Sequence, residues 1–197
     1  MQLTHRLTAL AAALCCAAAA HAQGAGPIKV GLMLPATGTF AQLGLAITNG
    51  FKLAVEERGG KLGGREIEYF TVDDESNPAK APENVSKLVQ RDKVDVVIGT
   101  VHSGVVMGMA KVLKESGTLW INPNGGAGAM TGAACAPNFF RTSFSNWQTT
   151  HALGKVLKAR GHKNAVFITW KYAAGEEMME GFKEGFEKEG GKLTKEL

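Results

Sequence analysis

The fold is decided by the stretch Ile28-Lys-Val-Gly-Leu-Met-Leu34 and by the return of its pattern further along the chain. Such a short run with one charged side chain is typical of a strand buried on both faces of a sheet. Apolar runs of similar length follow at residues 66–72, 94–98 and 118–121. Segments with helical periodicity separate these runs, as in parallel strands joined by right-handed crossovers. We therefore predict a doubly wound α/β domain.

The segments between these strands carry helix signals of their own. Phe51 and Val55 fall on one face of a first helix, which is expected to end at the glycine pair 59–60. Asn77-Pro78 predicts the start of a second helix, because asparagine is a good N-cap and proline suits the first helical position. A third helix is expected to turn Met109 inward.

A second α/β series is predicted after a Gly/Ala-rich segment that shows no periodicity, residues 122–137. It consists of a helix at about 148–160, a strand at 165–169 and a helix beginning near Glu176. The side chains expected to face inward are Leu153, Val156 and Leu157 on the first of these helices, and Met179, Phe182 and Phe186 on the second. We expect the chain to stop as another strand would begin, so that the second series lacks a sheet to cover.

The first residues have the order of parts of a secretory signal peptide. An apolar run follows Arg6 and ends at Ala20-His21-Ala22, a small-x-small cleavage site. A lipoprotein signal is the alternative at Cys15, although Leu14 is large for the position before the modified cysteine; a buried core helix is another. The predicted organisation is a signal peptide at 1–22, an N-terminal α/β lobe at 23–145 and the beginning of a truncated second lobe at 146–197.

Charge and cysteine content limit the classes of function. Cleavage after residue 22 removes one of 22 basic residues and none of 18 acidic ones, which leaves a net charge of +3. These charges are scattered, so nothing favours binding to nucleic acid. Of three cysteines only Cys135 lies outside the predicted signal peptide, so no internal disulfide is expected.

A series of short motifs carries a family resemblance. They are Lys29–Pro35 with Thr37-Gly38, Asn49–Ala54, Asp73-Asp74 before Asn77-Pro78, Val97-Ile98-Gly99 with Ser103, Asn122-Pro123, and Phe139–Thr142. In this order and spacing the chain resembles the type I periplasmic binding proteins, in the branch of leucine/isoleucine/valine receptors of ABC importers. The stretches 135–147 and 169–172 are similar to a subgroup associated with aromatic acids.

The resemblance implies a binding function. It implies a periplasmic receptor that closes two lobes on a small carboxylate, such as a branched-chain amino acid or an aromatic acid, and delivers it to an ABC permease in the inner membrane. A cofactor, a metal ion and catalytic residues are not expected, and the receptor is expected to be a monomer. Leu43 departs from the amino-acid receptors, which commonly carry an aromatic residue there. Cysteines that those receptors often have are replaced by Glu75 and His102.

Ser103 is the first candidate for ligand binding, because ligands of doubly wound sheets lie beyond the carboxyl ends of the strands. A hydroxyl beside the free N–H groups of a first helical turn suits a carboxylate, and the resemblance implies a ligand-carboxylate serine at this position. The alternative is a plain N-cap. His102, its neighbour, is also a candidate.

Further candidates follow later strands. Asn124, Gly125 and Gly126 match the place where the family offers backbone groups to the ligand; the alternative is a flexible connection. Trp170 and Tyr172 follow the predicted strand of the second lobe and could contact a ring. Core packing is their alternative.

Other sites and functions find less support. Asp73 and Asp74 could form a metal pair, but turn and cap roles suit them better. His102-Ser103 lacks the glycine of a nucleophile elbow, since residue 101 is valine. Two alternatives to a transport receptor stay open: an extracytoplasmic ligand-sensing domain of the same fold, and an exported α/β enzyme.

Overall fold

The computed structural model describes residues 26–197, and the predicted signal peptide lies outside these residues. A six-stranded sheet has the order β2-β3-β1-β4-β5-β6. Its strands are β1 Ile28–Leu34, β2 Lys61–Leu62, β3 Arg65–Asp73, β4 Val96–Ile98, β5 Leu119–Asn122 and β6 Phe139–Arg141. All neighbouring strands pair in parallel except β2, which is antiparallel to β3. We call this sheet and its helices the first lobe.

The helices of the first lobe cover both faces of the sheet. They are α1 Ala41–Glu56, α2 Ala81–Ser86 and α3 Ser103–Ser116. Met33 of β1 packs with Val85 of α2 and Met109 of α3 on one face. Leu32, the preceding residue of β1, packs on the other face against Phe51 of α1. Successive residues of β1 thus enter two separate cores, which confirms the predicted doubly wound arrangement.

The second predicted helix is divided into short pieces. Asn77 caps its start as predicted, because its side chain accepts a hydrogen bond from the amide of Ala79 at 3.0 Å. A 3₁₀ turn (Pro78–Lys80), α2 and a π-helical turn (Lys87–Arg91) then follow one another. Pro82, the second residue of α2, has no N–H to donate to the preceding turn. This accounts for the change from a 3₁₀ turn to an α-helix at the start of α2.

Strands β2 and β6 were not predicted. Both are short, and β6 follows the Gly/Ala-rich segment, where the sequence shows no periodicity. β6 extends the sheet beyond β5, with Phe140 opposite Ile121. Since only Phe139 of β6 is buried, the strand lacks the apolar run by which a buried strand is recognised.

The remaining residues form what we call the second lobe. Its elements are α4 Asn146–Ala159, β7 Asn164–Phe167, α5 Ala173–Glu187 and β8 Lys192–Glu196. β7 and β8 pair in parallel, so the expectation that the chain stops before a further strand is wrong. Phe182 and Phe186 are buried as predicted, and their rings stack at 5.4 Å.

The inward face predicted for α4 is wrong for two of its three residues, and only Leu157 is half-buried. Leu153 and Val156 are 46% and 45% exposed, whereas Gly154 is buried. Helix α5 packs so closely on α4 that a Cβ on Gly154 would lie 2.7 Å from the carbonyl oxygen of Phe182. Close contact between helices requires small residues, so the buried side of α4 is its glycine side rather than its leucine side. None of the described helices is long and apolar enough to cross a membrane.

Candidate ligand-binding cleft

Two aspartates brace the loops at the carboxyl edge of the first sheet. Asp73 accepts hydrogen bonds from the amide of Ala36 at 2.9 Å and from the hydroxyl of Thr37 at 2.6 Å. Asp74 is buried and accepts hydrogen bonds from the Thr100 hydroxyl and the Ser76 amide. Burial raises the pKa of Asp74, although these hydrogen bonds oppose the rise. The turn role predicted for this pair is confirmed, because the amides of Glu75 and Ser76 donate to Asp73 and Asp74, whereas the N-cap of the helical turn that follows is Asn77.

A cleft of about 290 Å³ lies between the two lobes. It is lined by Thr39, Phe40, Ser76, His102, Trp170 and Tyr172. The ring of His102 lies 4.9 Å from that of Tyr172, and the ring of Phe40 lies 6.4 Å from that of Trp170. Trp170 is nevertheless 64% exposed, so much of its ring is open to contact. The structure therefore brings three predicted residues together: His102, Trp170 and Tyr172.

His102 has a structural role at the start of α3. Its Nδ1 accepts a hydrogen bond from the amide of Gly104 at 2.9 Å, which makes His102, rather than Ser103, the N-cap. The cap alternative considered for Ser103 is therefore wrong. Burial lowers the pKa of His102 and raises the pKa of Tyr172, so both side chains are held neutral. The side chain of His102 that lines the cleft is therefore an uncharged imidazole.

Ser103 belongs to a hydrogen-bond network beside this cleft. It is 2% exposed, and its Oγ accepts a hydrogen bond from Nδ2 of Asn146 at 3.1 Å. The same nitrogen donates to Oε2 of Glu177 at 2.7 Å. Because the bond from Asn146 uses an acceptor position of the hydroxyl, the proton of Ser103 is left for another acceptor. A role in carboxylate binding stays a prediction.

The glycine loop after β5 is held mainly from within the protein. Oδ1 of Asn122 accepts hydrogen bonds from the amides of Asn124 and Gly125, at 3.2 and 2.8 Å. The carbonyl of Gly126 accepts a hydrogen bond from the amide of Asn146 at 3.0 Å. A Cβ on Gly126 would lie 2.3 Å from Oδ1 of Asn146, so here the close approach is made by the second lobe. Ligand contacts of this loop stay a prediction.

Sequence reasoning missed Phe40, Asn146 and Glu177. The position of Asn146 was signalled by Ser145 and Gln148, which form a capping box at the start of α4. Recognising it would have moved the predicted start of α4 from about 148 to 146. Glu177 carries no local signal, because its partners lie far away in the sequence.

Solved structures similar to this chain are solute-binding proteins of ABC transporters. One from R. palustris, in complex with benzoate, is 55% identical, with a TM-score of 0.85 over 87% of this chain and 48% of its own. Another, from Rhodopseudomonas palustris BisB5 in complex with 3,4-dihydroxybenzoic acid, is 29% identical. Its TM-score is 0.81 over 87% of this chain and 47% of its own.

Curated relatives agree on the class of protein. A Leu/Ile/Val-binding protein of Rhizobium johnstonii is 32% identical over 93% of this chain and 49% of its own length. The chain thus spans about half the length of the curated relatives it matches. A family profile described as periplasmic binding protein matches residues 27–196, and the chain therefore belongs to the periplasmic binding protein family.

Proposed function

We propose that the chain is part of the periplasmic receptor of an ABC importer and that it captures an aromatic carboxylate of the benzoate type. The observation that carries this proposal is the aromatic lining of the cleft, to which both lobes contribute. Phe40 and His102 approach it from the first lobe, and Trp170 and Tyr172 from the second. Rings in such positions can stack on, or meet the edge of, an aromatic ligand.

The likeness to the benzoate-bound receptor supports this choice of ligand. A branched-chain amino acid is the second candidate, because curated relatives are Leu/Ile/Val-binding proteins. Leu43 argues against it: its side chain is 47% exposed, and it stands where the amino-acid receptors commonly carry an aromatic residue. Of the described residues, those that line the cleft include no acidic side chain that could contact a ligand's ammonium group directly.

We infer binding rather than catalysis from the arrangement of His102 and Ser103. Nδ1 of His102 is occupied by the amide of Gly104, and the Ser103 hydroxyl accepts its hydrogen bond from Asn146. This supports roles in capping and in positioning rather than a nucleophile and its base. Periplasmic location, a cognate inner-membrane permease and a monomeric receptor complete the proposal.

Calorimetric titration of the full encoded chain tests the choice of ligand. We expect the Kd for benzoate to be at least about a hundredfold lower than that for leucine, a difference of about 2.7 kcal/mol. 4-Hydroxybenzoate extends the comparison to a substituted ring. Leucine binding as tight as benzoate binding would contradict the aromatic assignment, and binding of neither would contradict the proposed function.

The predicted carboxylate contact is tested by Ser103→Ala. Loss of a hydrogen bond to a charged group is expected to raise the Kd for benzoate about ten- to a hundredfold. Ser116→Ala, at the opposite end of α3, is the matched control and should leave the Kd unchanged. An unchanged Kd in Ser103→Ala would remove this residue from the site.

A further inference from the structure

We propose that Glu177 is a positioning residue of the ligand site, which orients the hydroxyl of Ser103 through Asn146. The proposal rests on the function proposed above and deepens it. Glu177 lies on α5 of the second lobe, whereas Ser103 lies on α3 of the first. The link from Glu177 through Asn146 to Ser103 therefore joins the two lobes and forms only when they lie against each other.

Glu177 first forms hydrogen bonds to the backbone of the first lobe. Its Oε1 and Oε2 accept the amide proton of Gly128, at 3.0 and 3.1 Å. Gly128 begins the 3₁₀ turn Gly128–Thr131, which directly follows the glycine loop. Both oxygens of the Glu177 carboxyl group therefore face one backbone donor. Glu177 thus ties α5 to the segment that follows β5.

The second step is the fixing of Asn146. Its Nδ2 donates one proton to Oε2 of Glu177 at 2.7 Å and the other to Oγ of Ser103 at 3.1 Å. Its backbone amide is bound by the carbonyl of Gly126. With these bonds formed, the amide group cannot turn over, because its oxygen would then face the carboxylate.

The third step concerns the hydroxyl of Ser103. Asn146 can only donate at this position, so Ser103 must accept from it and must direct its own proton elsewhere. In a buried site, a hydroxyl with a fixed orientation loses less freedom on binding an anion than a freely rotating one. Glu177 therefore prepares Ser103 to donate to a carboxylate without contacting the ligand itself.

A basic side chain, Arg141, binds the same segment as Glu177. Arg141 of β6 donates to the carbonyl of Ala127 and to the hydroxyl of Thr131, both at 3.0 Å. These residues flank Gly128, whose amide donates to Glu177. Burial lowers the pKa of Arg141, and the neighbouring Glu177 opposes that change. The segment after β5 is thus held by hydrogen bonds to Arg141 on one side and to Glu177 on the other.

The test is a double-mutant cycle on the full encoded chain, with benzoate as the ligand. Glu177→Gln keeps the shape of the side chain but replaces one acceptor by a donor, and it should raise the Kd about tenfold. In a Ser103→Ala background the same change should raise the Kd less than about threefold, because both changes remove one and the same bond to the ligand. Glu180→Gln, on an exposed turn of the same helix, is the matched control and should leave the Kd unchanged.

A second variant shows whether weaker binding results from the lost hydrogen bonds or from misfolding. Asn146→Ala removes the donor to Ser103 and should show the same loss of effect in the Ser103→Ala background, with circular dichroism confirming that each variant is folded. If Glu177→Gln weakens binding equally with and without Ser103, Glu177 merely holds the lobes together and the proposal is overturned. An unchanged Kd in Glu177→Gln overturns it as well. Absence of benzoate binding in the unaltered protein would instead overturn the proposed function.

Discussion

The two lobes bury their apolar side chains in different ways. In the first lobe, helices on both faces enclose a parallel sheet, and Trp120 and Leu113 are almost wholly buried. In the second lobe, burial comes largely from the packing of α4 on α5, while Val166 of β7 and Ile168, just after that strand, stay exposed. The first lobe is therefore stabilised mainly by large buried apolar side chains, and the second by the close packing of the α4 and α5 backbones. Removing a large side chain should therefore be most costly in the first lobe, whereas adding a side chain between α4 and α5 should be costly in the second.

The largest effect is expected where the first lobe loses volume. Trp120 contacts the ring of Phe139 at 4.6 Å and donates from its indole N–H to the carbonyl of Gly99 at 2.6 Å. Trp120→Ala should lower the free energy of unfolding by about 3–5 kcal/mol, as measured by urea denaturation. Ile168→Ala, at a side chain 74% exposed, should change it by less than about 0.5 kcal/mol. Similar losses in both variants would erase the contrast between the lobes.

An intermediate effect is expected where the second lobe gains volume. A Cβ on Gly185 of α5 would lie 2.2 Å from the carbonyl oxygen of His151 on α4. Gly185→Ala should therefore force the helices apart and cost about 1–3 kcal/mol. Gly50, within α1, is the matched control, because a Cβ there meets nothing within 4 Å. Gly50→Ala should raise stability by up to about 1 kcal/mol, and thermal unfolding of both variants would decide whether close packing distinguishes the second lobe.

The smallest effect concerns pH and the cap that faces the cleft. Burial holds the pKa of His102 below its ordinary value in the folded protein. Between that lowered pKa and about 6.5 the unfolded chain binds more protons, so stability is present above about pH 6.5 and is lost as the pH falls through the folded pKa. Asparagine is also a good N-cap, so His102→Asn should show a shallower loss of stability on acidification.

Urea denaturation at a series of pH values measures this difference. The raised pKa of Asp74 affects both proteins alike and therefore cancels in the comparison. Equal slopes in the two proteins would show that His102 does not couple folding to pH.

Much of the first lobe could be predicted from the sequence. β1 has the bounds predicted for it, because a strand buried on both faces must be apolar throughout. The start at Asn77 was predictable from its cap. The face of α4 was not, since its neighbour is a helix and glycines, which carry no hydrophobic signal, form the contact. Hydrophobic periodicity identifies helix faces that bury apolar side chains, but it cannot identify a face that packs through glycines.

The candidate site divides in the same way. His102, Trp170 and Tyr172 could be placed at the cleft because they follow the carboxyl ends of β4 and β7, one strand in each lobe. Phe40 lies between β1 and α1, so it also follows the carboxyl end of a strand, but no motif there marked it as a ligand contact. The link between Ser103, Asn146 and Glu177 joins residues that are 31 and 43 positions apart. Only the packing of the two lobes brings such residues together.

The contact between Gly126 and Asn146 has a consequence for how the protein can evolve. A Cβ at residue 126 would lie 2.3 Å from Oδ1 of Asn146 and 2.8 Å from its backbone nitrogen. A smaller side chain at 146 would remove the first clash but not the second, so homologues that keep this contact should keep glycine at 126. In this chain any larger residue at 126 would act as a spacer between the lobes, and no change of the side chain at 146 alone would restore the contact.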